Sequence, residues 1–387
     1  MLRAQLTQSG GGQAMFPATE TCTTPETPRW WIGVIIVSLI ASFASRGSLA
    51  GDTNLAEQSK FALKELGLPG ASGLVSLDYF AYDPHTERLW VPASNTGKVA
   101  IIDARTDTVT SIDGFRTAAV EFKGKHPVVG PTSVALGQGV VYIGNRADST
   151  ICVVTATTLR VGECIPIGSP GGGISEAPDS LTYVPQTREL WVTRGVPPLE
   201  IPSSDRAITV LDASQPLHLK PKDKIPLEAS AEGFAVDAVR GRFYTSLEEQ
   251  GTTVAIDVHR HTIVARWQSG CDEPHGLALD APHGILFVAC NARVVTLDVA
   301  HGGGAIDSSE IGAGLDNIDY LATKNLLYAA AADAAVLTVL GVDKSGKLTQ
   351  LRSVPTVRGA RGVVVDSGGH AYVMDPYGGR ILKVSLQ

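Results

Sequence analysis

Short runs of alternating apolar and polar residues fill most of the chain after residue 60, and each run ends at Asp, Gly, Asn or Pro. In the clearest copy, residues 80–83 (Phe-Ala-Tyr-Asp) are followed closely by residues 89–91 (Leu-Trp-Val). The same phrase recurs at six further places, beginning at Val134, Leu181, Phe234, Leu277, Ile318 and Val363. Period-two alternation rich in Val, Ile and Tyr indicates β-strands. The pattern therefore predicts seven copies of one unit.

Each unit is predicted to be a four-stranded antiparallel sheet. After the two strands of the phrase comes a third run, such as residues 98–103, and then a weaker fourth, such as residues 263–267. Four short strands per unit, with units about 40–50 residues apart, are typical of the blades of a β-propeller. The chain is thus expected to be all-β, with residues 51–387 forming one seven-bladed propeller.

The last unit offers only three strands, the third of them at residues 381–386. We predict that the missing fourth strand comes from residues 61–66, so that an N-terminal strand closes the ring and removes the exposed sheet edges. A short helix is the alternative, because the Ala-Leu-Lys-Glu of this segment also favours helix.

Residues 1–50 differ from the rest and have the pattern of a targeting segment. Residues 30–44 carry no charge and match the apolar core of a signal peptide in length, and Ser48-Leu49-Ala50 predicts cleavage after Ala50. The true start is Met1 or Met15, and an uncleaved N-terminal anchor is the alternative.

Four of the five cysteines follow that segment. Cys152 and Cys164 lie on strands joined by one turn, and a hairpin brings Cys271 and Cys290 to the same end. Even pairing after an export signal predicts two disulfides and a periplasmic or secreted protein. A metal site made of Cys271, Cys290 and His275 is the alternative.

Residues 89–95 (Leu-Trp-Val-Pro-Ala-Ser-Asn) with residues 97–103 resemble the YVTN-type β-propeller repeat of bacterial secreted proteins, and residues 190–212 and 286–298 are similar. Residues 270–278 resemble the inter-blade turn of the same group. The resemblance covers roughly residues 60–387 and implies the fold. Proteins of this shape include binding proteins, sugar-lactone hydrolases and parts of redox enzymes, so it does not select a function. Neither a Cys-x-x-Cys-His haem signature nor a Gly-x-Ser-x-Gly nucleophile elbow occurs in the sequence.

Aligning the seven units assigns one residue per blade to the turn before the first strand, at the mouth of the central channel. This predicted ring consists of Asp78, Thr132, Asp179, Glu232, His275, Asp316 and Arg361. Turns between second and third strands open on the same face and add Arg146 and Arg194, among others.

Carboxylates that converge on a narrow mouth must bind a cation, pair with arginines or have raised pKa values. No cofactor is assured, but Glu232, His275 and Asp316 are the candidates for holding a divalent cation. In the alternative, Arg146, Arg194 and Arg361 pair with the acids and water fills the channel.

Two long insertions are expected over this face. One is residues 115–130, between the first two blades, and the other is residues 194–206. Long loops in repeat proteins often cover the working face, where they act as lids or partner contacts. Loops without a function are the alternative.

The net charge of −7, without a cluster of Lys and Arg, argues against general nucleic-acid binding. The first hypothesis is an exported, monomeric binding protein that recognises a small molecule or a protein at the channel mouth without catalysis. The second is a lactonase-like hydrolase in which a metal or a carboxylate near Glu232, His275 and Asp316 activates water, and Arg361 stabilises the oxyanion. The third is a scaffold in an envelope assembly. Membrane contact is expected only through an uncleaved N-terminal segment.

Overall fold

The computed structural model describes residues 61–121, 124–168, 177–194 and 206–386, which all belong to one compact unit, Glu57–Gln387. Within these ranges the chain forms β-strands and two single-turn 3-10 helices, Ser94–Thr96 and Glu248–Gln250, and no α-helix. None of the helices described has the length and apolar character needed to cross a membrane. The predicted targeting segment, residues 1–50, and its cleavage site lie outside the described residues.

The strands form seven four-stranded antiparallel sheets, as predicted. Blade 1 contains β2 (Ala81–Asp83), β3 (Arg88–Ala93), β4 (Lys98–Asp103) and β5 (Val109–Ile112). A small two-stranded sheet, β6 (Ala118–Ala119) and β7 (Val128–Val129), comes next. Blade 2 contains β8 (Pro131–Leu136), β9 (Val140–Asn145), β10 (Thr150–Thr155) and β11 (Val161–Pro166). Blade 3 contains β12 (Pro178–Val184), β13 (Glu189–Arg194), β14 (Ala207–Asp212) and β15 (Lys220–Pro226). Blade 4 contains β16 (Ala231–Asp237), β17 (Arg242–Leu247), β18 (Thr252–Asp257) and β19 (Thr262–Gln268).

The remaining three blades follow the same order. Blade 5 contains β20 (Pro274–Asp280), β21 (Ile285–Cys290), β22 (Arg293–Asp298) and β23 (Gly304–Glu310). Blade 6 contains β24 (Leu315–Leu321), β25 (Leu326–Ala331), β26 (Val336–Val342) and β27 (Leu348–Pro355). Blade 7 contains β28 (Val363–Val365), β29 (Ala371–Asp375), β30 (Arg380–Leu386) and, from the N-terminal side, β1 (Phe61–Gly67).

The ring is closed by β1, which pairs with β30 from Phe61 opposite Leu386 to Gly67 opposite Arg380. Leu66 is buried by this pairing, and Lys64 donates to Asp107 of blade 1 at 2.7 Å. The prediction of a closing strand is confirmed, and the helix alternative is wrong. Pairing with an open sheet edge outweighs the weak helix propensity of Ala-Leu-Lys-Glu.

The core between blades is built around one large aromatic side chain from the second strand of each blade. These residues, all almost fully buried, are Trp90, Tyr142, Trp191, Tyr244, Phe287, Tyr328 and Tyr372. Each lies opposite one residue of the first strand, and those partners are Ala81, Ala135, Thr182, Ala235, Ala278, Asp319 and Val364. Six of these partners are small or β-branched, which leaves room for the ring, and one is an aspartate.

Both predicted cysteine pairs are disulfide-bonded. Cys152 and Cys164 are cross-strand partners on β10 and β11, with Cα atoms 3.9 Å apart. Cys271 and Cys290 join the turn before β20 to the end of β21, with Cα atoms 6.2 Å apart. Their sulfurs bond each other, so the metal site proposed for Cys271, Cys290 and His275 lacks its thiolates.

The first insertion is attached to the body of the propeller. β6 and β7 pair with each other, the Gly130 amide donates to the Ser94 hydroxyl at 2.9 Å, and the Asn145 amide group donates to the Arg116 carbonyl at 3.1 Å. The second insertion lies, from residue 195 to residue 205, outside the described residues.

Candidate ligand site in the central channel

The predicted ring occupies one level of the propeller. In every blade the ring residue precedes, by three positions, the first-strand residue that faces the buried aromatic. Five of the first strands have an irregularity in their pairing at the ring position, for example between Glu232 and Ala235. The bulge turns the ring side chain away from the sheet.

Two arginines connect three ring carboxylates in one network. Arg361 donates to Asp316 at 2.6 Å and to Asp78 at 3.2 Å. Arg146 donates to Asp78 from the other side, also at 3.2 Å, and forms an ion pair with Asp179. We call Asp78, Arg146, Asp179, Asp316 and Arg361 the mouth network. Each of its two arginines pairs with two aspartates, so the charges of the network are satisfied within the protein.

Two other polar residues predicted near the mouth, Arg194 and the ring residue Thr132, have different surroundings. Arg194 donates to the Ile167 carbonyl at 3.2 Å, and no contact with the mouth network is seen among the residues described. Thr132 is buried, and its carbonyl accepts the Tyr79 amide at 3.2 Å.

Glu232 stands apart from the mouth network. Its carboxylate accepts a hydrogen bond from the Tyr79 hydroxyl at 3.1 Å, whereas Arg361 and Arg146 donate to other acids. Burial, together with the negative charges of Asp316 and Asp78, raises the pKa of Glu232 from its ordinary value of 4.5 to about 8. Near neutral pH the site therefore contains a carboxyl group that holds a proton.

Two further acids near the mouth also bind protons more readily than usual. Burial raises the pKa of Glu248, although the nearby His275 opposes this. Burial likewise raises the pKa of Asp316, against the attraction of Arg361. His275 is half-buried and close enough to both acids to affect them electrostatically.

Within the described ranges, no group of three or more His, Cys, Asp or Glu side chains is placed to hold a metal ion. Glu232, His275 and Asp316 share one region of the mouth, but Asp316 is engaged by Arg361 and Glu232 by Tyr79. The divalent cation predicted at these three residues stays a prediction without support from this geometry.

Directly below the mouth the channel narrows to a waist. The residues one position after the ring are Tyr79, Ser133, Ser180, Gly233, Gly276, Asn317 and Gly362. A Cβ atom on Gly233 would lie 2.6 Å from the Gly276 Cα, and one on Gly276 would lie 2.7 Å from the Asp316 carbonyl oxygen. The first strands of blades 4, 5 and 6 thus approach each other too closely for larger side chains.

Tyr79 fills the opening that remains at the waist. It belongs to blade 1, but its hydroxyl bonds Glu232 and accepts the Gly233 amide at 3.2 Å, and both partners belong to blade 4. Blades 1 and 4 lie on opposite sides of a seven-membered ring, so the side chain crosses the channel. Burial raises the pKa of Tyr79 well above its ordinary value, so the hydroxyl keeps its proton and remains a donor.

Below Tyr79 the channel widens into a cavity of 410 Å³, which we call the chamber. Its walls are the first strands of blades 1, 4, 5, 6 and 7, and they include Phe80, Phe234, Leu277 and Ile318. Its volume is within the range of small-molecule sites.

Asp319 is an ionisable residue in the chamber wall. Its two oxygens accept the Tyr320 and Val365 amides, both at 2.8 Å. Burial raises its pKa from 3.8 to about 6, although the two amides oppose this. The aspartate therefore joins blade 6 to blade 7 and is ionised at neutral pH.

Tyr79 and Asp319 were missed by the sequence analysis, which compared the blades only at the ring position. The same alignment contains the signal for both. One position after the ring, Tyr79 contrasts with Ser, Gly and Asn; three positions after it, Asp319 contrasts with Ala, Thr and Val. In each case one blade departs from the other six.

Comparisons with known proteins show the fold. No protein-family profile matches the chain, and no curated protein sequence matches it. A chain in the crystal structure of the mitotic checkpoint complex has a TM-score of 0.64 at 10% identity, covering 89% of this chain and 99% of that chain. The WD40 repeats of RRP9 have a TM-score of 0.63 at 10% identity, covering 84% of this chain and 97% of that chain. A chain of hydrazine synthase from Kuenenia stuttgartiensis has a TM-score of 0.62 at 14% identity, covering 83% of this chain and 98% of that chain. These similarities and the seven blades establish a seven-bladed β-propeller.

Proposed function

We propose that this protein is an exported binding protein of the YVTN-repeat type that holds a small molecule in its central channel and does no chemistry on it. The observation that carries the proposal is the 410 Å³ chamber, open space of ligand size within the ring of blades. Propellers commonly bind ligands or partners at the channel, so the position of the chamber agrees with the architecture.

The mouth network supports binding over catalysis. Both of its arginines are already held by carboxylates, so neither is free to stabilise an oxyanion without breaking an ion pair. The network also fixes blades 1, 2, 3, 6 and 7 to one another around the mouth. We assign it the role of holding the mouth at a constant width.

Export is supported by the two disulfides, which persist in oxidising compartments and are rare in the cytosol. The apolar run at residues 30–44 supports the same proposal. We propose a periplasmic or secreted monomer.

The proposal is tested by screening small molecules for stabilisation of the propeller produced from residue 51. Binders that raise Tm in proportion to their concentration are expected. Val364→Phe, which inserts a ring into the chamber wall, should abolish the shifts, whereas Val264→Phe on an exposed outer strand should not. Failure of every compound, or equal shifts in both variants, would contradict the proposal.

A lactonase-like hydrolase is the second candidate, and one observation favours it. Glu232 has the raised pKa that a general acid needs near neutral pH. If it acts so, Glu232→Gln should abolish hydrolysis of lactones while leaving Tm nearly unchanged at pH 5, where the carboxyl group of the folded wild type holds its proton. Elemental analysis of the dialysed protein tests the accompanying metal, since a resident divalent ion should be lost in the same variant.

A scaffold that binds proteins through its rim is the third candidate. The neighbours from the mitotic checkpoint complex and the RRP9 WD40 repeats share only the fold with this chain. Retained capture of a defined partner by the Val364→Phe variant would favour the rim over the channel.

A further inference from the structure

We propose that the chamber below Tyr79 binds a small apolar molecule that carries a protonated amine, with Asp319 as the counter-ion. The inference rests on the proposed function, because it names the class of ligand for the same channel. Four features support it: the charge of Asp319, the aromatic lining, the absence of lysine, arginine and histidine from the described lining, and the side on which the chamber opens.

Asp319 has hydrogen-bonding capacity that the protein does not use. An ionised carboxylate offers about four acceptor positions, and the two backbone amides occupy one on each oxygen. Among the described residues no lysine, arginine or histidine is an ion-pair partner of Asp319, and its pKa responds only to burial and to those amides. A buried anion without a cationic partner favours a ligand that brings one.

The chamber offers aromatic faces together with this carboxylate. Tyr79, Phe80, Tyr82 and Phe234 line it, and the rings of Tyr79 and Phe234 are stacked with their centroids 6.5 Å apart. An ammonium group is attracted to aromatic faces as well as to a carboxylate. Leu277, Ile318 and Val364 complete an apolar wall that suits a hydrocarbon body.

Anionic ligands do not fit these surroundings. The described lining contains three carboxylates, Asp78, Asp319 and Asp366, and no lysine, arginine or histidine. The guanidinium of Arg361, which contacts the lining residue Asp78, also donates to Asp316 and to the Leu77 carbonyl. Asp78 is paired with Arg146 and Arg361, and Asp366 lies 2.8 Å from a ring nitrogen of His370, whereas Asp319 has no cationic partner among the described residues. A ligand carboxylate or phosphate would therefore meet the uncompensated negative charge of Asp319.

The position of Tyr79 determines where the ligand enters. The tyrosine closes the waist on the mouth side, whereas the other end of the chamber is bounded by the exposed Pro84 and Ser367. These two residues follow the first strands of blades 1 and 7. We assign entry to the face opposite the mouth, with Tyr79 as the floor of the site.

The test uses three probes of one shape, 2-phenylethylamine, 2-phenylethanol and phenylacetate, measured by titration calorimetry at pH 7.5 on the propeller from residue 51. The amine should bind at least tenfold more tightly than the alcohol, and phenylacetate should bind most weakly. Asp319→Asn should reduce amine affinity at least tenfold and change alcohol affinity less than twofold. Asp272→Asn, an exposed turn aspartate, is the matched control and should change neither.

A second measurement keeps the test valid if Asp319→Asn does not fold. In the wild-type protein, amine binding should weaken several-fold from pH 7.5 to pH 5, because Asp319, with a pKa of about 6, becomes protonated. Alcohol binding should stay constant.

Three outcomes would overturn the amine inference. If amine and alcohol bind equally and Val364→Phe blocks both, the chamber is a ligand site without charge selection, and the proposed function stands. Tightest binding of phenylacetate would contradict the charge argument. Binding of no probe rejects the amine class, and the proposed function fails as well only if the broader screen also yields no binder.

Discussion

The mouth of the channel and the chamber below it are neighbouring parts of one central channel, yet they use charge differently. At the mouth three carboxylates share two guanidinium groups, and each cation contacts two acids. In the chamber the carboxylate of Asp319 contacts only backbone amides. Tyr79 and its bond to Glu232 separate the two regions.

The difference teaches that a ring of polar residues is not by itself a binding site. Charged side chains that pair with one another hold blades together and keep little hydrogen-bonding capacity for a ligand. A single charge set among apolar and aromatic walls keeps its capacity, and it is better evidence for ligand chemistry. Four substitutions test this division between a structural mouth and a binding chamber.

The largest effect is expected from Arg361→Met, which leaves Asp316 and Asp78 without their shared cation. Breaking a buried ion pair costs about 3–5 kcal/mol, and the partial exposure of this arginine lowers the expected loss of unfolding free energy to about 2–3 kcal/mol. Denaturant unfolding measures the loss. The control is Arg266→Met, whose partner Glu228 is exposed; it should cost less than about 1 kcal/mol. Equal losses would mean that the mouth network is no more important than a surface pair.

The next effect is the pH dependence that Glu232 contributes. Its pKa is about 8 in the folded protein and 4.5 ordinarily, so the folded state binds more protons between these values and stability falls as pH rises through them. Counting half of that shift in pKa, at about 1.4 kcal/mol per pKa unit, gives about 2 kcal/mol of unfolding free energy. Denaturant unfolding measures this: between pH 5 and pH 9 the unfolding free energy of Glu232→Gln should fall by about 2 kcal/mol less than that of the wild type. The control is Glu228→Gln at an exposed site, which should have the same pH dependence of stability as the wild type. If Glu232→Gln also had the wild-type pH dependence, the prediction would be contradicted.

A smaller effect of the same sign is expected at Asp319. Its pKa rises from 3.8 to about 6 on folding, so the wild type loses stability as pH rises through this interval. Half of this shift corresponds to about 1.5 kcal/mol, and Asp319→Asn should remove it from the unfolding profile between pH 3.5 and pH 7. Asp272→Asn is the control, and an unchanged profile in Asp319→Asn would show that the aspartate is well hydrated.

The smallest effect is expected from Tyr79→Phe, which keeps the ring across the channel and removes its hydroxyl. One hydrogen bond to a charged group is worth about 1.5–3 kcal/mol, but Glu232 holds a proton near neutral pH, so the expected loss is about 1 kcal/mol at pH 7. The loss should grow at pH 9, where Glu232 is ionised. Unfolding at both pH values measures it, and a loss that did not change with pH would contradict the coupling between the two residues.

The sequence allowed the architecture to be predicted in detail because its pattern repeats. Seven apolar phrases indicated seven blades, the missing last strand indicated closure by residues 61–66, and the spacing of the cysteines indicated both disulfides. Repetition corrects local errors, since a strand that is ambiguous in one blade is clear in another.

The candidate site was predictable only in part. The ring alignment identified the residues at the mouth, but not that Arg146 and Arg361 would join Asp78 from both sides while Arg194 bonds a backbone carbonyl. Pairing across the channel depends on side-chain length and direction, which strand periodicity does not contain. Tyr79 contacts a residue three blades away, and no local pattern indicates such a partner.

The most direct test of the account is a crystal structure of the propeller grown with 2-phenylethylamine. We expect electron density in the chamber below Tyr79, with the amine nitrogen within hydrogen-bond distance of Asp319 and the ring against Phe80 or Phe234. Density at the mouth among Asp78, Arg146 and Arg361, or an empty chamber at a probe concentration that saturates binding in solution, would contradict it.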